Sequence, residues 1–259
     1  MTNRPHPPTS QIRDFWEQQP LCVSEIALEP GSLEFFIAYD ELRLQNEPPE
    51  FAAKLHEYDQ FYGKTVLEVG CGNAYTLARY AEHGAVVSGL DLTAKAIDIS
   101  QLRFSIHGLE GDFRVGNAEK LPYPDDAFDC ICSMGVLHHV SNTGKAVGEI
   151  YRCLKPGGRL IVMFYHRDSL LYRIWMPVQA ARYGKSIQCL VNEVDGIGNP
   201  KGDVYSKGEL RRLLHTFNGV KMFGGCLNIG PRYEALLPRP LRQSLATKFG
   251  WFLYAKARK

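Results

Sequence analysis

Residues 66–75 constrain the fold more than any other part of the chain. They read Val-Leu-Glu-Val-Gly-Cys-Gly-Asn-Ala-Tyr: a short apolar run with one acid, then Gly-x-Gly, then the start of an apolar helical pattern. This order predicts a strand, a tight turn and a helix. The glycines let the turn adopt backbone angles closed to other residues and let a ligand approach the main chain. Because open α/β sheets bind ligands beyond the carboxyl ends of their strands, the stretch predicts a ligand site.

Strand-like and helix-like patterns alternate from Lys64 onward. The alternation predicts an α/β fold with a doubly wound, seven-stranded, mostly parallel sheet and right-handed crossovers. Strands are expected near 65–69, 85–90, 112–116, 127–132, 158–164, 217–223 and 250–256. Helices are expected near 75–83, 93–107, 142–153 and 168–183. The last two strands are predicted to form a hairpin-like pair at the sheet edge, with the final strand antiparallel.

The residues around the glycines indicate which ligand to expect. The dinucleotide fingerprint needs a third glycine where Tyr75 stands, and the Gly-Lys-Ser/Thr of a phosphate-binding loop is missing. Instead Glu68 precedes the first glycine, and Asp91 ends the next apolar run. An acid at the end of the second strand can accept hydrogen bonds from ribose hydroxyls, whereas acids repel phosphate. The ligand expected is therefore a nucleoside with a cationic or neutral tail.

Six segments in order, between about residues 62 and 165, carry a family resemblance. They are Glu68-Val-Gly70-Cys-Gly72, Gly89-Leu-Asp91-Leu92, Asn117-Ala118-Glu119-Lys-Leu121-Pro122-Tyr123, Phe128-Asp129, Leu137-His138-His139 and Leu154-Lys-Pro156-Gly157-Gly158. Together they resemble the class I S-adenosylmethionine-dependent methyltransferases, particularly the small-molecule, ubiquinone-biosynthesis-like group (methyltransferase type 11). The resemblance implies a Rossmann-like methyltransferase fold and an enzyme that uses S-adenosyl-L-methionine and releases S-adenosyl-L-homocysteine. The chain departs from the family pattern at Asn73-Ala74, where a glycine often falls, and at Asn117, where the family usually has Asp.

The resemblance also implies a set of cofactor-binding residues and no metal. The set comprises Glu68, Gly70, Gly72, Asp91, Leu92, Asn117, Ala118, Ser133 and Met134. The two glycines would let the backbone cross the methionine moiety, and Glu68 would orient the loop or reach the cofactor ammonium. Asp91 would hold the ribose hydroxyls, while Leu92, Asn117 and Ala118 would contact adenine. Ser133 and Met134, just after the fourth strand, would line the cofactor through their carbonyls.

Catalysis of methyl transfer asks little of the protein, because a sulfonium methyl group is already activated. Positioning supplies most of the effect, and a general base matters only when the nucleophile must lose a proton. The candidates are His138, His139 and His166, predicted at the carboxyl ends of strands four and five; in the family the His-His pair is largely a structural turn. Tyr39, Arg43, Tyr165 and Tyr205 are predicted to line the substrate pocket. The expected reaction is O-methylation of a small organic acceptor; N- or C-methylation and a catalytically silent cofactor-binding partner subunit stay open.

The organisation predicted is a helical N-terminal lid or extension, residues 1–61, followed by a methyltransferase domain, residues 62–259. A substrate-side insertion is expected at about 165–215. The alternative for the N-terminal helices is packing behind the sheet, since apolar residues at helical spacing are more often core than pocket.

Charge is distributed unevenly along the chain. Residues 1–62 carry 4 basic and 11 acidic side chains, and residues 231–259 carry 7 basic and 1 acidic. These are either solvated faces, or the acidic segment docks near the basic one, or the basic segment attracts an anionic substrate or a membrane surface. The overall charge of +2 gives no support to nucleic-acid binding.

The remaining composition favours a cytoplasmic protein. No apolar run approaches the ~20 residues of a transmembrane helix, and residues 1–10 lack the apolar centre of a signal peptide. The seven cysteines are scattered and fit reduced thiols better than a disulfide framework.

Overall fold

The computed structural model describes residues 6–20, 26–228, 230, 233–234 and 236–259. The strands are β1 (Thr65–Val69), β2 (Val86–Asp91), β3 (Asp112–Val115), β4 (Phe128–Met134), β5 (Leu154–His166), β6 (Val204–Tyr205), β7 (Asn218–Gly225) and β8 (Phe252–Arg258). The helices are α1 (Thr9–Gln18), α2 (Leu33–Asn46), α3 (Pro49–His56), α4 (Tyr75–Glu82), α5 (Ala94–Ile106), α6 (Thr143–Cys153), α7 (Met176–Tyr183), α8 (Ile187–Asn192), α9 (Lys207–Leu213) and α10 (Arg239–Phe249). Single turns of 3₁₀ helix at Tyr58–Phe61 and Glu193–Asp195 and a π turn at Leu171–Trp175 complete the secondary structure used below.

The strands form one sheet in the order β3-β2-β1-β4-β5-β8-β7. Strands β1 to β5 pair in parallel, and β8 pairs antiparallel with both β5 and β7. The α/β fold class and the parallel-dominated sheet are therefore confirmed. The last two strands form an antiparallel pair at the sheet edge, as predicted; β8 lies next to β5 and β7 is the edge strand.

Strands β4 and β5 extend further than predicted. The pairing of β4 with β5 jumps from Phe128–Leu154 to Cys130–Arg159, so residues 155–158 form a bulge where a turn was expected. Gly157 in that bulge has φ +76°, a conformation that favours glycine. At its far end β5 continues to His166 and pairs in parallel with the two-residue strand β6, which gives the sheet its eighth strand.

Both faces of the sheet are covered by helices, because successive strand residues point to opposite faces. On one face Leu67 and Ile131 share a buried cluster with Ile150 of α6. On the other face Val66 and Cys130 share a cluster with Leu77 of α4. Glu68, next to Val66 and Leu67, is thereby held at the buried carboxyl end of β1.

The N-terminal helices pack in two different places. Leu55 of α3 joins the buried cluster beside α4 on one face of the sheet. Phe35 and Tyr39 of α2 instead pack against Tyr75 and Ile99, at the end of the sheet where the glycine loop lies. Among the described residues, no helix is long and apolar enough to cross a membrane.

A buried ionic network anchors α2 to the sheet. Glu47, which caps the carboxyl end of α2, pairs with Arg43 at 2.9 Å and accepts a hydrogen bond of 2.9 Å from the hydroxyl of Tyr254 in β8. Burial alone would raise the pKa of Glu47, but the Arg43 guanidinium outweighs it and lowers that pKa to about 2. The carboxylate therefore stays ionised inside the protein and holds the two elements together.

Candidate functional site

A large cleft opens at the carboxyl ends of β1, β2 and β4. Its empty space, including the part that merges with solvent, is about 1260 Å³. The walls come from the glycine loop after β1, the turns after β2, β3 and β4, and the N-terminal helices α1 and α2. This is the place where open α/β sheets hold their ligands.

The glycine loop has a left-handed backbone at three residues, of which two are glycines and one is an alanine. Gly70 has φ +76° and Gly72 has φ +56°. A Cβ on Gly70 would meet Val136 at 2.3 Å, whereas a Cβ on Gly72 would meet nothing within 4 Å. Ala74 also has φ +58° and precedes α4 as its N-cap. The absent family glycine at Asn73-Ala74 therefore has a physical consequence, because a left-handed alanine costs roughly 1 kcal/mol.

Asp91 is tied to the glycine loop by its own carboxylate. One oxygen accepts a hydrogen bond of 3.0 Å from the Gly72 N–H, and the other accepts from the N–H and the hydroxyl of Thr93, both at 3.0 Å. Burial raises the pKa of Asp91, although these hydrogen bonds oppose it. A carboxylate has about four acceptor positions. The three hydrogen bonds from Gly72 and Thr93 occupy three of those of Asp91. Both predicted ribose hydroxyls can bind together only if the Thr93 hydroxyl turns away.

Glu68 lies buried at the base of the cleft with an incomplete set of partners. Its Oε2 atom makes no hydrogen bond within the described residues. Burial raises the pKa of Glu68 to about 8, with Arg43 and the Thr76 hydroxyl opposing the shift. A buried carboxyl with an unused oxygen is suited to a cation that enters the cleft, because pairing restores the interactions lost on burial.

The turns after β2 and β3 supply the wall on the far side of Asp91. Leu92, Asn117 and Ala118 all line the cleft. However, the Asn117 side-chain oxygen already accepts a hydrogen bond of 2.9 Å from the Glu119 N–H. One lone pair of that oxygen is left for a ligand amino group.

The predicted pair Ser133 and Met134 divides between two environments. Both belong to β4 itself and do not follow it, since that strand ends at Met134. Met134 lines the cleft, but the Ser133 side chain is buried and donates a hydrogen bond of 2.8 Å to the Val69 carbonyl. The longer strand corrects only the predicted position of the two residues, and a cofactor contact through their main-chain carbonyls stays a prediction.

Of the three predicted histidines, His139 lines the cleft and the other two do not. His138 is fully buried, with neither ring nitrogen hydrogen-bonded within the described residues, and burial lowers its pKa well below the ordinary value. His166 lies within β5, and its Nδ1 atom is 3.0 Å from the Gly250 carbonyl oxygen. Burial lowers the pKa of His166 as well. His166 is the last residue of β5, at the carboxyl end of the strand where the sequence placed it, but neither its ring nor that of His138 lines the cleft.

The predicted substrate residues also separate into two groups. Tyr39 and Arg43 of α2 line the cleft, and the Arg43 guanidinium lies 5.5 Å from the centre of the Tyr75 ring. Tyr165 is buried behind His139, where its hydroxyl donates to Asp195. Tyr205 donates a hydrogen bond of 3.2 Å to the Thr143 hydroxyl, away from the cleft. The sequence predicted both tyrosines to line the pocket, but neither lines the cleft, because β5 extends past its predicted end and pairs there with β6, a strand that was not predicted.

Helix α1, in the segment predicted as a helical lid or extension, forms a wall of the cleft. Thr9, Ile12 and Trp16 line the cleft, and the Trp16 ring packs edge-on against His139 with ring centres 5.2 Å apart. The neighbouring Glu17 accepts hydrogen bonds of 3.1 and 3.3 Å from the first N–H groups of α5, at Ala94 and Lys95. The sequence predicted a helical segment here. It carries no local sign that Trp16 contacts His139, which lies more than 100 residues further on.

Comparison with known proteins supports this site. Residues 67–162 match the family model of a methyltransferase domain. A ubiquinone biosynthesis O-methyltransferase of Maricaulis maris is 30% identical over 139 residues, which are 49% of this chain and 55% of that protein. A ubiquinone/menaquinone biosynthesis C-methyltransferase of Proteus mirabilis is 32% identical over 138 residues, covering 50% of this chain and 55% of that one.

The fold agrees with the family match. A solved S-adenosylmethionine-dependent methyltransferase of Aquifex aeolicus superposes with a TM-score of 0.56 at 18% identity, over 83% of this chain and 92% of that chain. The chain carries a class I S-adenosylmethionine-dependent methyltransferase domain. The family resemblance seen in the sequence is thereby confirmed. The chain spans about half the length of the curated relatives it matches, and these relatives include both O- and C-methyltransferases.

The cofactor of this family, S-adenosylmethionine, fits the residues of the cleft. It is a nucleoside that carries a sulfonium and an α-amino acid tail, and it has no phosphate. The unpartnered Glu68 oxygen suits the ammonium of that tail, and Asp91 keeps one acceptor position for a ribose hydroxyl. The open space beside Gly72 lets a ligand lie against the main chain. Within the described residues, no three His, Cys, Asp or Glu side chains are grouped as metal ligands would be.

Proposed function

We propose that the protein binds S-adenosylmethionine and transfers its methyl group to a small organic acceptor, at oxygen. The observation that carries the proposal is the pair of acids, the buried Glu68 and the half-buried Asp91, which flank the Gly70–Gly72 turn in a methyltransferase domain. An acidic site without a phosphate cradle selects a cationic nucleoside over the nucleotides that other sheets of this type bind.

The cofactor-binding roles follow from the placement of each residue. Glu68 pairs with the ammonium, and Gly70 and Gly72 leave the main chain accessible beside it. Asp91 receives a ribose hydroxyl. The adenine lies between Leu92 and the main chain at Asn117 and Ala118, while Met134 closes the floor.

Positioning is the main contribution of the protein to the reaction. Bound S-adenosylmethionine supplies an electrophilic methyl carbon, whose bond to sulfur breaks with the electron pair staying on sulfur. The walls of the cleft hold the acceptor in line with that bond, an effect worth up to about 7–11 kcal/mol. His139 takes the acceptor proton, which is worth a further ~10²–10⁴-fold. Tyr39 and Arg43 contact the acceptor or the cofactor tail from the side of α2.

The walls beside His139 indicate an apolar acceptor. Ile12, Trp16, Val136 and Val140 line this part of the cleft together with Phe35. An aromatic or prenyl-like molecule would bury apolar surface there at about 25 cal/mol per Å². We favour oxygen over nitrogen and carbon as the acceptor atom, because His139 lies at this wall and can accept the proton that a hydroxyl must lose.

Helices α1 and α2 act as a lid in this proposal. The residues that support this are Trp16 against His139 and Glu17 at the first turn of α5. Helix α3 packs on the sheet and belongs to the domain body. The segment 165–215 forms the acceptor side, as Asp195 lies beside His139.

The proposal also includes a contact of α10 with an anionic surface and a cytoplasmic location. Arg239, Arg242 and Lys248 of α10 make no ion pair among the described side chains, so the helix can meet an anionic surface such as a membrane. We place the protein in the cytoplasm, which is supported by the unbonded thiols of Cys71, Cys130, Cys132, Cys153, Cys189 and Cys226.

Calorimetric titration with S-adenosylmethionine and S-adenosylhomocysteine tests the proposal. Micromolar binding of both is expected. Asp91→Ala should weaken it by ~1–3 kcal/mol, about 5–150-fold, because the ribose loses its partner and the Gly72 N–H is orphaned. Asp112→Ala, an exposed acid paired with Arg114 outside the cleft lining, is the matched control. Absence of binding by the folded wild type would refute the proposal.

A catalytically silent partner subunit is the second candidate. Ala74 in the loop after β1 and Asn117 in the turn after β3 favour it, because both depart from the family pattern at the cofactor site. Tight cofactor binding without methyl transfer to any fraction of a metabolite extract would favour this candidate over the enzyme.

A further inference from the structure

Two side chains of α5 hold the glycine loop from outside the cleft. The Ser100 hydroxyl donates a hydrogen bond of 2.8 Å to the Gly72 carbonyl, and the Nε atom of Arg103 donates one of 2.8 Å to the Asn73 carbonyl. Both side chains are buried, and residues three positions apart lie on the same face of a helix. Two successive carbonyls of the loop are therefore fixed to one helix.

The second of these carbonyls belongs to the peptide that joins Asn73 to Ala74. The N–H of the same peptide, on Ala74, donates a hydrogen bond of 2.7 Å to the Cys71 carbonyl. Because a peptide group is planar, bonds to its carbonyl and to its N–H fix the whole plane. The φ angle of Ala74, +58°, describes the rotation next to that plane. Arg103 thus acts directly on the left-handed alanine of the loop.

The hydrogen bond from Arg103 is strong enough to offset the strain at Ala74. Alanine disfavours the left-handed conformation by roughly 5–30-fold. A hydrogen bond from a charged donor favours the state that contains it by roughly 10–100-fold. Without Arg103 the strain would dominate, and the peptide between Asn73 and Ala74 would turn over. The cleft, which Gly72 and Asn73 line, would then present different main-chain atoms to a ligand.

Helix α2 encloses the other side of the Arg103 guanidinium. The Nη1 atom donates a hydrogen bond of 2.9 Å to the Asp40 carboxylate, and the guanidinium lies 4.3 Å from the centre of the Phe36 ring. A buried cation needs such a counter-charge and such a ring to stay in place. Tyr39, from the same stretch of α2, lines the cleft. The docking of α2 and the conformation of the loop therefore depend on one side chain.

We infer that Arg103 is a positioning residue for the cofactor, which holds the glycine loop in its left-handed conformation and makes that conformation depend on the docking of α2. The inference rests on the proposed function and deepens it. Arg103 does not line the cleft, so it acts through the loop. In this chain a bond from α5 replaces the glycine that the family often has at Asn73-Ala74. The loop is consequently ready for the cofactor only while α2 is docked.

A second arginine provides a matched control. Arg79 of α4 lies 3.5 Å from the same Asp40 carboxylate, and its guanidinium is 5.4 Å from the centre of the Tyr75 ring, compared with 5.8 Å for Arg103. Among the described residues, the Arg79 side chain makes no hydrogen bond to a carbonyl of the loop. Arg79→Met therefore removes a guanidinium from the same surroundings and should leave the loop unchanged.

Hydrogen exchange at the amide of residue 74, measured by NMR on the ligand-free protein, tests the inference. After correction for intrinsic rates, Arg103→Met should exchange about tenfold faster than wild type, because methionine packs on Phe36 but donates no hydrogen bond. Adding Ala74→Gly should bring the rate back to within about threefold of wild type, since glycine adopts positive φ freely. Ala74→Gly alone should change the rate by less than about twofold.

Calorimetry with S-adenosylhomocysteine on the same variants should follow the exchange rates. Arg103→Met should bind about tenfold more weakly, and the added Ala74→Gly should restore the affinity to within about threefold. Asp40→Asn keeps the shape of the side chain and removes its charge, so it should weaken binding and speed exchange by about threefold. Arg79→Met should match wild type in both measurements.

The outcomes separate this inference from the proposed function. Wild-type exchange and affinity in folded Arg103→Met, or equal losses with and without Ala74→Gly, would overturn the role of Arg103. Wild-type values in Asp40→Asn would overturn the dependence on α2. The Asp40 side chain is 22% exposed, so this variant also decides if Arg103→Met does not fold. A wild type that binds no cofactor would overturn the proposed function, while the exchange rates would still show whether Arg103 holds the loop.

Discussion

Glu68 shows at the scale of one residue how a ligand site is in conflict with stability. Its carboxyl is held in the core of the protein although one oxygen has no hydrogen-bond partner within the described residues. Burial of a group in this state favours the neutral form, which is why its pKa rises to about 8. The protein keeps this unfavourable acid at the end of β1 because a cationic ligand there gains from the same unmet interaction.

The substitution Glu68→Gln should therefore stabilise the free protein while it weakens the cofactor. A folded pKa of about 8 against an ordinary 4.5 gives stability that is fully present below pH 4.5 and is lost as pH rises to 8. The variant should gain about 4 kcal/mol over wild type at pH 8 and under about 1 kcal/mol at pH 5, measured by urea denaturation. Glu82→Gln, on the surface of α4, is the control. A gain that is equal at both pH values would contradict the assignment.

Individual residues of the site could be predicted where the local sequence pattern alone determines their position. Glu68 and Asp91 follow directly from strand ends beside a glycine turn, and both lie at the cleft. For His138 and His139 the sequence offers two identical residues, and only the direction of the turn decides that the second faces the cleft. Asp195 belongs to a loop that composition marks as a turn, so its approach to a histidine 56 positions earlier in sequence is set by packing alone.

At the scale of elements, α2 joins the cleft to the sheet. Its inner residues Tyr39 and Arg43 line the cleft, while Arg43 also pairs with Glu47, and Glu47 bonds Tyr254 in β8. Any shift of the carboxyl-terminal half of α2 would thus change the cleft wall and the network together. Helical periodicity predicted α2 itself, but the sheet partner of its last turn lies more than 200 residues further on.

Removing the Glu47 carboxylate, which is central to this network, should strongly lower the free energy of unfolding. Glu47→Gln leaves the Arg43 cation without its counter-charge in a buried place, which costs about 3–5 kcal/mol in comparable cases. Since the folded pKa of Glu47 is about 2, its contribution is present above pH 4.5 and is lost as pH falls towards 2. Urea denaturation should show that the gap between wild type and variant closes over that range.

The matched control removes one neutral hydrogen bond and no charge. Tyr254→Phe deletes the hydroxyl that donates to Glu47 and should cost only about 1 kcal/mol. The two variants share a site, so equal losses would show that the hydrogen bond and not the ion pair carries the network.

The order of the elements was predictable, and their extent at the substrate side was not. Apolar strand patterns and helix stops located β1 to β5 and the helices between them. The prediction ended β4 and β5 too early, because β6 is a two-residue strand with no pattern of its own and it exists only by pairing with the end of β5. The same extension buries Tyr165 and His166, although the sequence predicted Tyr165 in the substrate pocket and His166 as a candidate base.

At the scale of the whole molecule, the fold brings part of the acidic N-terminal segment into contact with part of the basic C-terminal segment. Glu57, from the acidic N-terminal part, pairs with Arg159 at 2.8 Å and with Lys256 at 3.0 Å. The acidic segment thus does meet one base of the basic C-terminal segment. Helix α10 is different: no residue of it is buried, and Leu241 and Phe249 are 48% and 40% exposed between its basic side chains.

An exposed helix with basic and apolar side chains and no acid has the character of a membrane-surface element. The protein should sediment with phosphatidylglycerol vesicles at low salt, and 0.5 M NaCl should release it. The triple variant Arg239→Gln, Arg242→Gln, Lys248→Gln should bind about 100-fold more weakly, because each basic side chain near an anionic surface is worth about 1 kcal/mol.

The control triple variant changes the same net charge away from α10. Lys95, Lys120 and Lys145 are exposed on α5, after β3 and on α6, so replacing all three by Gln removes three positive charges and leaves α10 intact. If vesicle binding followed net charge alone, both triple variants would lose it equally and α10 would have no special role. If the protein bound phosphatidylcholine vesicles equally well, the basic side chains would be irrelevant to the contact. Selective loss in the α10 variant is the result that places the surface at this helix, where bases without an ion pair among the described side chains stand beside the exposed Leu241 and Phe249.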